Sequence, residues 1–317
     1  MPPTSTFTPD RDIPDLSGKV ILITGGTAGL GSGSILELVK HKPAHIFFSG
    51  RNKASADALI ARVHSTAPQV GITFIEADIS SLASVQKAAS ALLSATERLD
   101  ILMLNAGIMA VPPALSADGY EIQFATNHLG HALLVKLLLP LLLSTASSTT
   151  PPKDVRIINL SSEAYLQAPS AQGGIAFASL KTPQDGLGGL IPGARWSRYG
   201  QAKLAQMLYS SQLALHHPQL TSVSVHPGYI WTGLITNQSF ADQLLLKVVS
   251  IGKKVPVEEG HFNQVWAATV PVATLRNGEY YEPVGKVGHR KSKESKDVDG
   301  LGLRLWEWTE KELADWV

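Results

Sequence analysis

The sequence predicts a doubly wound α/β fold, a mainly parallel sheet between two layers of helices, on three observations. Short apolar runs alternate with segments of helical periodicity, which is the pattern of βαβ units. The runs are apolar throughout, as expected for strands that helices cover on both faces. A glycine-rich segment follows the first run, and such a turn between strand and helix is typical of this fold.

The elements follow in order along the chain. Six strands are predicted, at residues 20–24, 45–49, 73–77, 101–104, 155–160 and 222–225. The clearest helical segments between them are residues 31–40, 54–65, 84–95 and 199–216. The apolar run 132–143 contains Lys136 and Pro140 and is too short to span a bilayer, so it predicts a buried core helix. The tail predicts one further helix, a short strand near residues 279–281 and a Trp-rich terminal helix.

The chain is expected to form one domain, residues 18–317, preceded by an N-terminal arm, residues 1–17. Two segments interrupt the regular alternation. Residues 163–198 are rich in Gly, Pro and Ala, and residues 233–259 contain the apolar stretch FADQLLLKVVSI. Long irregular segments inside a compact domain tend to be functional loops, so we interpret them as an insertion and a substrate lid.

Composition excludes several function classes. Hydrophobic residues make up 44% and charged residues 17%, typical of a globular protein with a large core. The net charge of +1 gives no field for nucleic acid or an anionic membrane. With no cysteine there is no disulfide or thiolate chemistry, and no His, Asp or Glu set has metal-ligand spacing, so no metal is expected. The first ten residues lack the apolar core of a signal peptide, and we expect a cytoplasmic protein.

The glycine-rich segment after the first strand reads TGGTAGLG, residues 24–31. Its glycines permit positive φ and close approach of the backbone to a pyrophosphate, and the following helix start offers free N–H groups. An ordinary turn would be the alternative for an isolated glycine string. The preceding strand and following helix favour a phosphate-binding loop instead.

A second motif is Tyr199 and Lys203, which share one helix face at positions i and i+4. A nearby ammonium is expected to favour the phenolate and lower the tyrosine pKa from its usual value of about 10. Such a tyrosine can exchange a proton with an alcohol or an alkoxide. Alone, the pair could equally be an amphipathic surface pair. Ser161 and Ser162 close the fifth strand at the ligand-binding edge of the sheet, although two serines can also cap a loop.

Together these motifs resemble the short-chain dehydrogenase/reductase family, which has a Rossmann-like fold. The fingerprint Thr-Gly-x-x-x-Gly-x-Gly, the Asn-Ala-Gly turn, Tyr-x-x-x-Lys and Pro-Gly-x-x-x-Thr occur in family order between Lys19 and Thr232. The resemblance implies catalytic roles for Ser162, Tyr199, Lys203 and Asn127. Asn127 would hold a water that relays protons to Lys203; alternatively, its side chain hydrogen-bonds a local backbone group. It implies a dinucleotide site at Thr24, Gly25, Ala28, Gly29, Leu30, Gly31, Arg51, Lys53, Asp78, Asn105, Ala106, Gly107, Tyr199, Lys203, Pro227, Gly228, Ile230 and Thr232.

The end of the second strand bears on which dinucleotide binds. An acidic residue there would bind the ribose diol of NAD, whereas Arg51, with help from Lys53, suits the 2′-phosphate of NADP(H). Arg51 as a solvated loop residue is the alternative. Asp78 matches the family position that contacts the adenine, or else it caps the next helix.

One departure from the family concerns the spacing of Ser162 and Tyr199, which are 37 positions apart, far more than is usual. The insertion 163–198 could cover the helix on which many relatives dimerise and favour a monomer over a homodimer, or it could line the substrate site. The sequence around Tyr199 resembles the retinol-dehydrogenase and protochlorophyllide-reductase branch, and fungal reductases of secondary metabolism.

The predicted function is transfer of a hydride between NADP(H) and a carbonyl or alcohol of a small, hydrophobic substrate. The apolar segment 240–251 with Tyr229 and Trp231 favours such a substrate, although core packing explains them as well. Two other hypotheses stay open: an NADP-binding sensor or scaffold without turnover, and a non-redox isomerase or cyclase on the same fold. The intact Ser162, Tyr199 and Lys203 favour an enzyme over a scaffold.

Overall fold

The computed structural model describes residues 7–148, 154–189, 193–230 and 255–317. Its strands are β1 Val20–Ile23, β2 His45–Gly50, β3 Gly71–Glu76, β4 Ile101–Leu104, β5 Arg156–Leu160, β6 Thr221–Val225, β7 Tyr280–Glu282 and β8 Lys286–Val287. These eight strands form one sheet in the order β3-β2-β1-β4-β5-β6-β7-β8. Strand pairs are parallel from β3 to β7, and only β8 is antiparallel.

Helices lie between the strands on both faces of the sheet. The main ones are α1 Gly29–Leu38, α2 Lys53–Thr66, α3 Leu82–Ala95, α4 Ile122–Ser147, α5 Ala194–His216, α6 Phe262–Thr269 and α7 Leu303–Glu312. One-turn helices occur at Pro9–Asp12 and Lys293–Lys296. The six predicted strands and four predicted helices are therefore all present, with ends that move by at most five residues.

The strand order makes the sheet doubly wound. The chain runs outward from β1 to β3 and then returns to place β4 beside β1. The carboxyl ends of β1 and β4 thus flank a switch point, where ligands of open α/β sheets bind. The predicted fold class is confirmed.

The hydrophobic core is split by the sheet into two clusters. One contains apolar side chains of α3, α4, α5 and α7, among them Leu138, Leu208 and Leu305. The other contains side chains of α1, α2 and α6. The N-terminal arm joins the second cluster through Ile13 and Leu16, which are buried. Residues 1–6 of that arm lie outside the described part of the chain.

Helix α4 is longer than the predicted run 132–143. It spans 26 residues and is long and apolar enough to cross a membrane by length and composition alone. In this structure 67% of its most apolar 18-residue window is buried against the protein, and Lys136 pairs with Glu310 of α7. The helix is therefore a core helix, as predicted, because its apolar face packs on the sheet and on α3 and α5.

Helix α5 begins at Ala194, five residues before the predicted start, so the last residues of the predicted insertion are helical. Every residue from Trp196 to Ala214 is buried. The rest of the described insertion is irregular and contains short 3₁₀ turns at Glu163–Gln167, Ser170–Gln172 and Phe177–Ser179. Most of the predicted lid, residues 233–254, lies outside the described residues.

Candidate active site

The glycine-rich loop between β1 and α1 requires glycine for two different reasons. Gly25 and Gly29 have φ angles of +66° and +55°, which glycine adopts without strain. A Cβ on Gly31 would lie 2.3 Å from the carbonyl oxygen of Gly25. Ala28, at the start of α1, makes no side-chain cap hydrogen bond. The first N–H groups of α1 therefore suit an anion such as a pyrophosphate.

The Asn-Ala-Gly turn after β4 is bonded directly to this loop. The Thr24 hydroxyl accepts hydrogen bonds from the backbone N–H groups of Asn105 and Ala106, both at 2.9 Å. The Asn105 amide donates to the carbonyl oxygen of Thr24 at 2.8 Å. A Cβ on Gly107 would lie 3.0 Å from the Asn127 side-chain oxygen and 3.7 Å from Lys203 Nζ. This turn therefore joins the phosphate loop to the residues predicted to be catalytic.

A buried histidine continues the same network. The Nδ1 of His131 lies 3.0 Å from the carbonyl oxygen of Asn127, and its Nε2 lies 2.9 Å from the Thr24 hydroxyl. Burial lowers the pKa of His131 to about 4, so its ring is neutral at pH 7. Because a carbonyl only accepts, Nδ1 carries the hydrogen and Nε2 accepts from Thr24. The sequence analysis did not single out His131, because its contacts depend on the π-helical geometry of this part of α4.

The predicted 2′-phosphate residues differ in their surroundings. Arg51 is exposed directly after β2, where no carboxylate stands, and Asn52 caps α2 by accepting from Ser55 N–H. Lys53 forms an exposed ion pair with Asp57 at 2.9 Å, at i,i+4 on the helix. Arg51 is therefore better placed than Lys53 to bind a phosphate, because Lys53 already has an acidic partner in Asp57.

Asp78, the predicted adenine contact, lies in the turn after β3. Its Oδ1 accepts from the N–H and the hydroxyl of Ser80 at 2.9 and 2.7 Å. The cap of α3 is Ser81, which accepts from Ser84 N–H. Asp78 thus shapes the turn before α3 and is not the helix cap that was its alternative role.

The two serines at the end of β5 have separate roles. Ser161 is buried and donates to the carbonyl oxygen of Lys203 at 2.8 Å, which ties β5 to α5. Ser162 accepts from Ala164 N–H and its side chain also hydrogen-bonds the Tyr199 hydroxyl. The structure therefore brings Ser162, and not Ser161, to the tyrosine, in agreement with the choice made from the sequence.

Tyr199 and Lys203 face the same site from α5, with Lys203 Nζ 5.5 Å from the centre of the tyrosine ring. Burial raises the pKa of Tyr199 to about 12, and the Ser162 hydrogen bond only partly opposes it. Burial also lowers the pKa of Lys203 to about 7. The expected net lowering of the tyrosine pKa is therefore wrong for this structure, because desolvation is the largest influence on the Tyr199 hydroxyl.

Asn127 lies in a π-helical stretch of α4, Ala125–Leu129, and such stretches are frequent at functional sites. Its side-chain amide accepts from Ile108 N–H at 2.9 Å and donates to Ile108 O at 3.0 Å. The amide thus holds the backbone after the Asn-Ala-Gly turn, as in the alternative role that we left open for it. The proton-relay role of Asn127 stays a prediction.

An apolar wall lies against Tyr199. Met109, Ala110, Trp196 and Tyr199 form one buried cluster, with Ala164 packed beside it. The rings of Trp196 and Tyr199 meet edge to face at 6.2 Å. Trp196 lies in the segment that the sequence predicted only as an insertion, so its part in this wall could not be anticipated without the start of α5.

Arg198 holds the loop that carries Met109 and Ala110. Its guanidinium donates to Val111 O at 2.9 Å and forms an ion pair with Glu121 at 3.1 Å, and both side chains are almost fully buried. Burial raises the pKa of Glu121 although Arg198 opposes the shift. Sequence reasoning missed Arg198, because nothing in the sequence distinguishes it from a surface arginine.

The segment after β6 reaches the same edge of the sheet. Gly228 has a φ of +97° and Ile230 is buried. The Tyr229 hydroxyl donates to Glu163 at 2.9 Å, and Lys291 Nζ lies 2.5 Å from the other carboxylate oxygen of Glu163. Pro227 begins this turn, whereas Trp231 and Thr232 lie outside the described residues.

Comparison with known proteins agrees with this geometry. Residues 19–180, just over half of the chain, match the family model of the short chain dehydrogenases. An oxidoreductase of Schizosaccharomyces pombe is 39% identical over 312 residues, which cover 96% of this chain and 88% of that protein. The chain belongs to the short-chain dehydrogenase/reductase family. It is accordingly an oxidoreductase that uses a nicotinamide cofactor.

Fungal relatives of this short-chain dehydrogenase/reductase include drtF of Aspergillus calidoustus, 33% identical with 95% of each chain covered. A solved structure from Mycobacterium paratuberculosis has 26% identity and a TM-score of 0.69 over 97% of each chain. Among solved structures of the same fold, one holds NADPH and another NADH. The fold alone therefore does not decide between the two cofactors.

A cluster away from this site, Asp10, Glu37 and His41, brings its ligand atoms within 4.8 Å of one another. The ammonium of Lys40 already bonds both carboxylates, at 3.2 Å to Asp10 and 2.9 Å to Glu37. The Lys40 ammonium therefore balances the negative charge of this cluster, and we assign no metal to it.

Proposed function

We propose that this short-chain dehydrogenase/reductase is a cytoplasmic, NADP(H)-dependent reductase of apolar aldehydes or ketones, with Tyr199 as the acid. The observation that carries the proposal is the Tyr199 hydroxyl. It is hydrogen-bonded by Ser162. The ring that carries it packs with Trp196 and Met109, and Lys203 Nζ lies 5.5 Å from the centre of that ring.

A nicotinamide cofactor held by the glycine-rich loop and by Arg51 would supply the hydride to the carbonyl carbon. Ser162 donates a hydrogen bond to the carbonyl oxygen, which polarises the bond and fixes the substrate beside Tyr199. Tyr199 gives its proton to the oxygen as negative charge develops there, so an alcohol and a phenolate form. The Lys203 ammonium stabilises that phenolate until it recovers a proton from solvent.

The ionisation of Tyr199 supports reduction as the direction. Since burial raises the pKa of Tyr199 to about 12, the hydroxyl is protonated at pH 7 and ready to donate. Oxidation of an alcohol would begin from the phenolate, which the buried site disfavours. The direction of the reaction in the cell also depends on the ratio of reduced to oxidised cofactor, which the site does not set.

The preference for NADP(H) is supported by Arg51. It is exposed at the end of β2, beside the start of α2, where a 2′-phosphate would lie next to the adenosine ribose. A planar guanidinium can bind a phosphate through two parallel hydrogen bonds. No carboxylate follows β2 to bind a ribose diol or repel a phosphate.

The apolar substrate class is supported by the wall beside Tyr199. Met109, Ala110, Trp196 and Ala164 offer carbon surface and no charge to a molecule whose carbonyl contacts Tyr199. The sequence analysis took Tyr229 as a sign of a hydrophobic substrate, but its hydroxyl donates a hydrogen bond to Glu163. An apolar carbonyl compound would therefore lose water against this wall and gain affinity without a charged partner.

The test follows NADPH absorbance with a panel of apolar and charged aldehydes and ketones. We expect apolar members to be reduced faster and Tyr199→Phe to lose turnover while it still binds NADPH. Tyr209→Phe is the matched control, because Tyr209 is buried on the same helix but packs against Trp306, away from the site. Binding of NADPH with no turnover of any carbonyl would favour a sensor or scaffold instead.

A further inference from the structure

The amine of Lys203 has two acceptors in the described part of the chain. Its Nζ donates to the carbonyl oxygen of Leu160 at 2.7 Å and to the side-chain oxygen of Gln206 at 2.8 Å. Leu160 contributes backbone and ends β5, so that acceptor comes with the fold. The second acceptor depends on the identity of a side chain, and Gln206 lies three residues after Lys203 on α5.

The orientation of the Gln206 amide follows from the chemistry of its partner. An ammonium can only donate, so the oxygen of the amide must face Lys203 and its nitrogen must point away. That nitrogen, Nε2, is buried and has no hydrogen-bond partner among the described residues. Gln206 is 1% exposed. A methionine would fill this position without an unpaired amide, so the oxygen facing Lys203 is what distinguishes glutamine here.

The other groups that face Lys203 do not replace this contact. Tyr199 lies on the same helix, and His131 faces the amine from α4 but is neutral at pH 7. The side-chain oxygen of Asn127 is used by Ile108 N–H. Within the ranges that the structure describes, no carboxylate lies at ion-pair distance from Lys203. Gln206 is therefore the one side chain in those ranges that accepts from this amine.

We propose that Gln206 is a positioning residue that holds the Lys203 ammonium in its charged form and directs it toward Tyr199. A hydrogen bond from an acceptor to a charged donor favours the charged form of that donor. Burial acts in the opposite direction on the pKa of Lys203. We expect an acceptor at 2.8 Å from Nζ to work against that effect. The catalytic meaning of this contact rests on the proposed function, whereas the contact itself does not.

The test measures the protonation of Lys203 directly, in the cofactor-free protein. The full chain is produced with lysine labelled with ¹³C at Cε, and the Lys203 resonance is assigned by its loss in Lys203→Met. Titration then compares the parent with Gln206→Met, Gln206→Glu and Gln212→Met. Gln212 is the matched control, since it is buried on the same helix but donates to Val298 O, away from Lys203.

We expect the Lys203 titration to move to lower pH by about half a unit or more in Gln206→Met. In Gln206→Glu it should move to higher pH, because a carboxylate is the stronger acceptor. Gln212→Met should leave it unchanged. A parent-like titration in both Gln206 variants would overturn the proposal, and Gln206→Glu alone decides the matter if Gln206→Met does not fold.

Activity then separates this proposal from the proposed function. With a substrate found in the panel, the alkaline limb of the kcat profile should move in the same direction as the Lys203 titration, with KM for NADPH changed less than kcat. A shifted titration together with absent turnover on every carbonyl would leave the Gln206 assignment standing and reject the proposed function. An unshifted titration with normal reductase activity would reject the Gln206 assignment and leave the proposed function standing.

Discussion

At the scale of single residues, the sequence identified the reacting side chains better than it identified their ionisation. Tyr199, Lys203 and Ser162 do meet, because Tyr-x-x-x-Lys lies on one helix face and Ser162 lies just after the end of β5. The pKa of Tyr199 is nevertheless raised and not lowered. The reason is burial by Trp196 and Met109, which come from segments that no local pattern places beside the tyrosine.

Arg51 carries a prediction about cofactor choice. Replacing Arg51 with Ala removes the cation at the end of β2, so we expect KM for NADPH to rise about 10- to 100-fold, a loss of about 1.5–3 kcal/mol typical of a hydrogen bond to a charged group. KM for NADH should change little. Steady-state kinetics with both cofactors checks this, with Arg62→Ala, an exposed arginine later on α2, as control. An equal loss with NADPH and NADH would contradict the role of Arg51.

At the scale of elements, the phosphate loop, the Asn-Ala-Gly turn and α4 act as one unit. Thr24 bonds the turn, His131 bonds Thr24, and the backbone of Asn127 bonds His131. The fingerprint glycines and the asparagine could be predicted from sequence because each is a fixed motif. The histidine linking them could not, since its role depends on the π-helical turn of α4.

The close approach inside that unit predicts the effect of Gly31→Ala. The added Cβ would lie 2.3 Å from Gly25 O and 2.7 Å from the Asn105 amide nitrogen, so the loop must move. We expect NADPH affinity to fall by at least about tenfold, since about 1.4 kcal/mol is enough for that loss. Fluorescence titration of NADPH measures it. Gly186→Ala, where the Cβ meets nothing within 4 Å, should bind like the parent. An unchanged affinity of Gly31→Ala for NADPH would show that the loop is not part of the cofactor site.

The contact between α4 and α7 predicts a pH dependence of stability. Burial lowers the pKa of His128 to about 3, and its Nε2 lies 2.9 Å from the Thr309 hydroxyl. The unfolded chain therefore binds a proton at this residue below about pH 6.5 that the folded chain refuses, and stability falls as pH falls. In His128→Gln the free energy of unfolding should drop less steeply between pH 6.5 and 4.5, by up to about 1.4 kcal/mol per pH unit.

Urea unfolding at several pH values checks this prediction. His131, whose pKa is also lowered by burial, remains in the variant and keeps part of the acid sensitivity. The slope should therefore be reduced and not abolished. An identical slope in the parent and in His128→Gln would mean that His128 does not keep its neutral form in the folded protein.

At the scale of the whole molecule, the insertion and the C-terminal helix cover α5. Trp306 of α7 stacks on Tyr209 and His216, with ring centres 5.5 and 4.3 Å apart. Phe177 of the insertion contacts Trp308, and Lys181 pairs with Glu312 at 2.7 Å. The doubly wound sheet was predictable because its alternating pattern repeats along the chain. This cover was not predictable, because it joins residues that lie ninety or more positions apart in the chain.

The covered helix predicts a monomer. Every residue from Trp196 to Ala214 is buried inside one chain, so this stretch of α5 has no free face for a second copy. Light scattering after size exclusion should give a mass near 33.9 kDa over a wide concentration range. A stable mass of twice that value would contradict the expectation and require a dimer contact elsewhere on the surface.

The central claim, that Tyr199 protonates a carbonyl oxygen as NADPH reduces the carbon, has one direct test. An apolar ketone is incubated with NADPH deuterated at the transferring position of the nicotinamide, and the alcohol is analysed by mass spectrometry. The parent should give an alcohol with deuterium on the carbinol carbon, and Tyr199→Phe should form it about 100- to 10,000-fold more slowly at equal NADPH occupancy. Labelled alcohol formed by Tyr199→Phe at the parent rate would contradict the account.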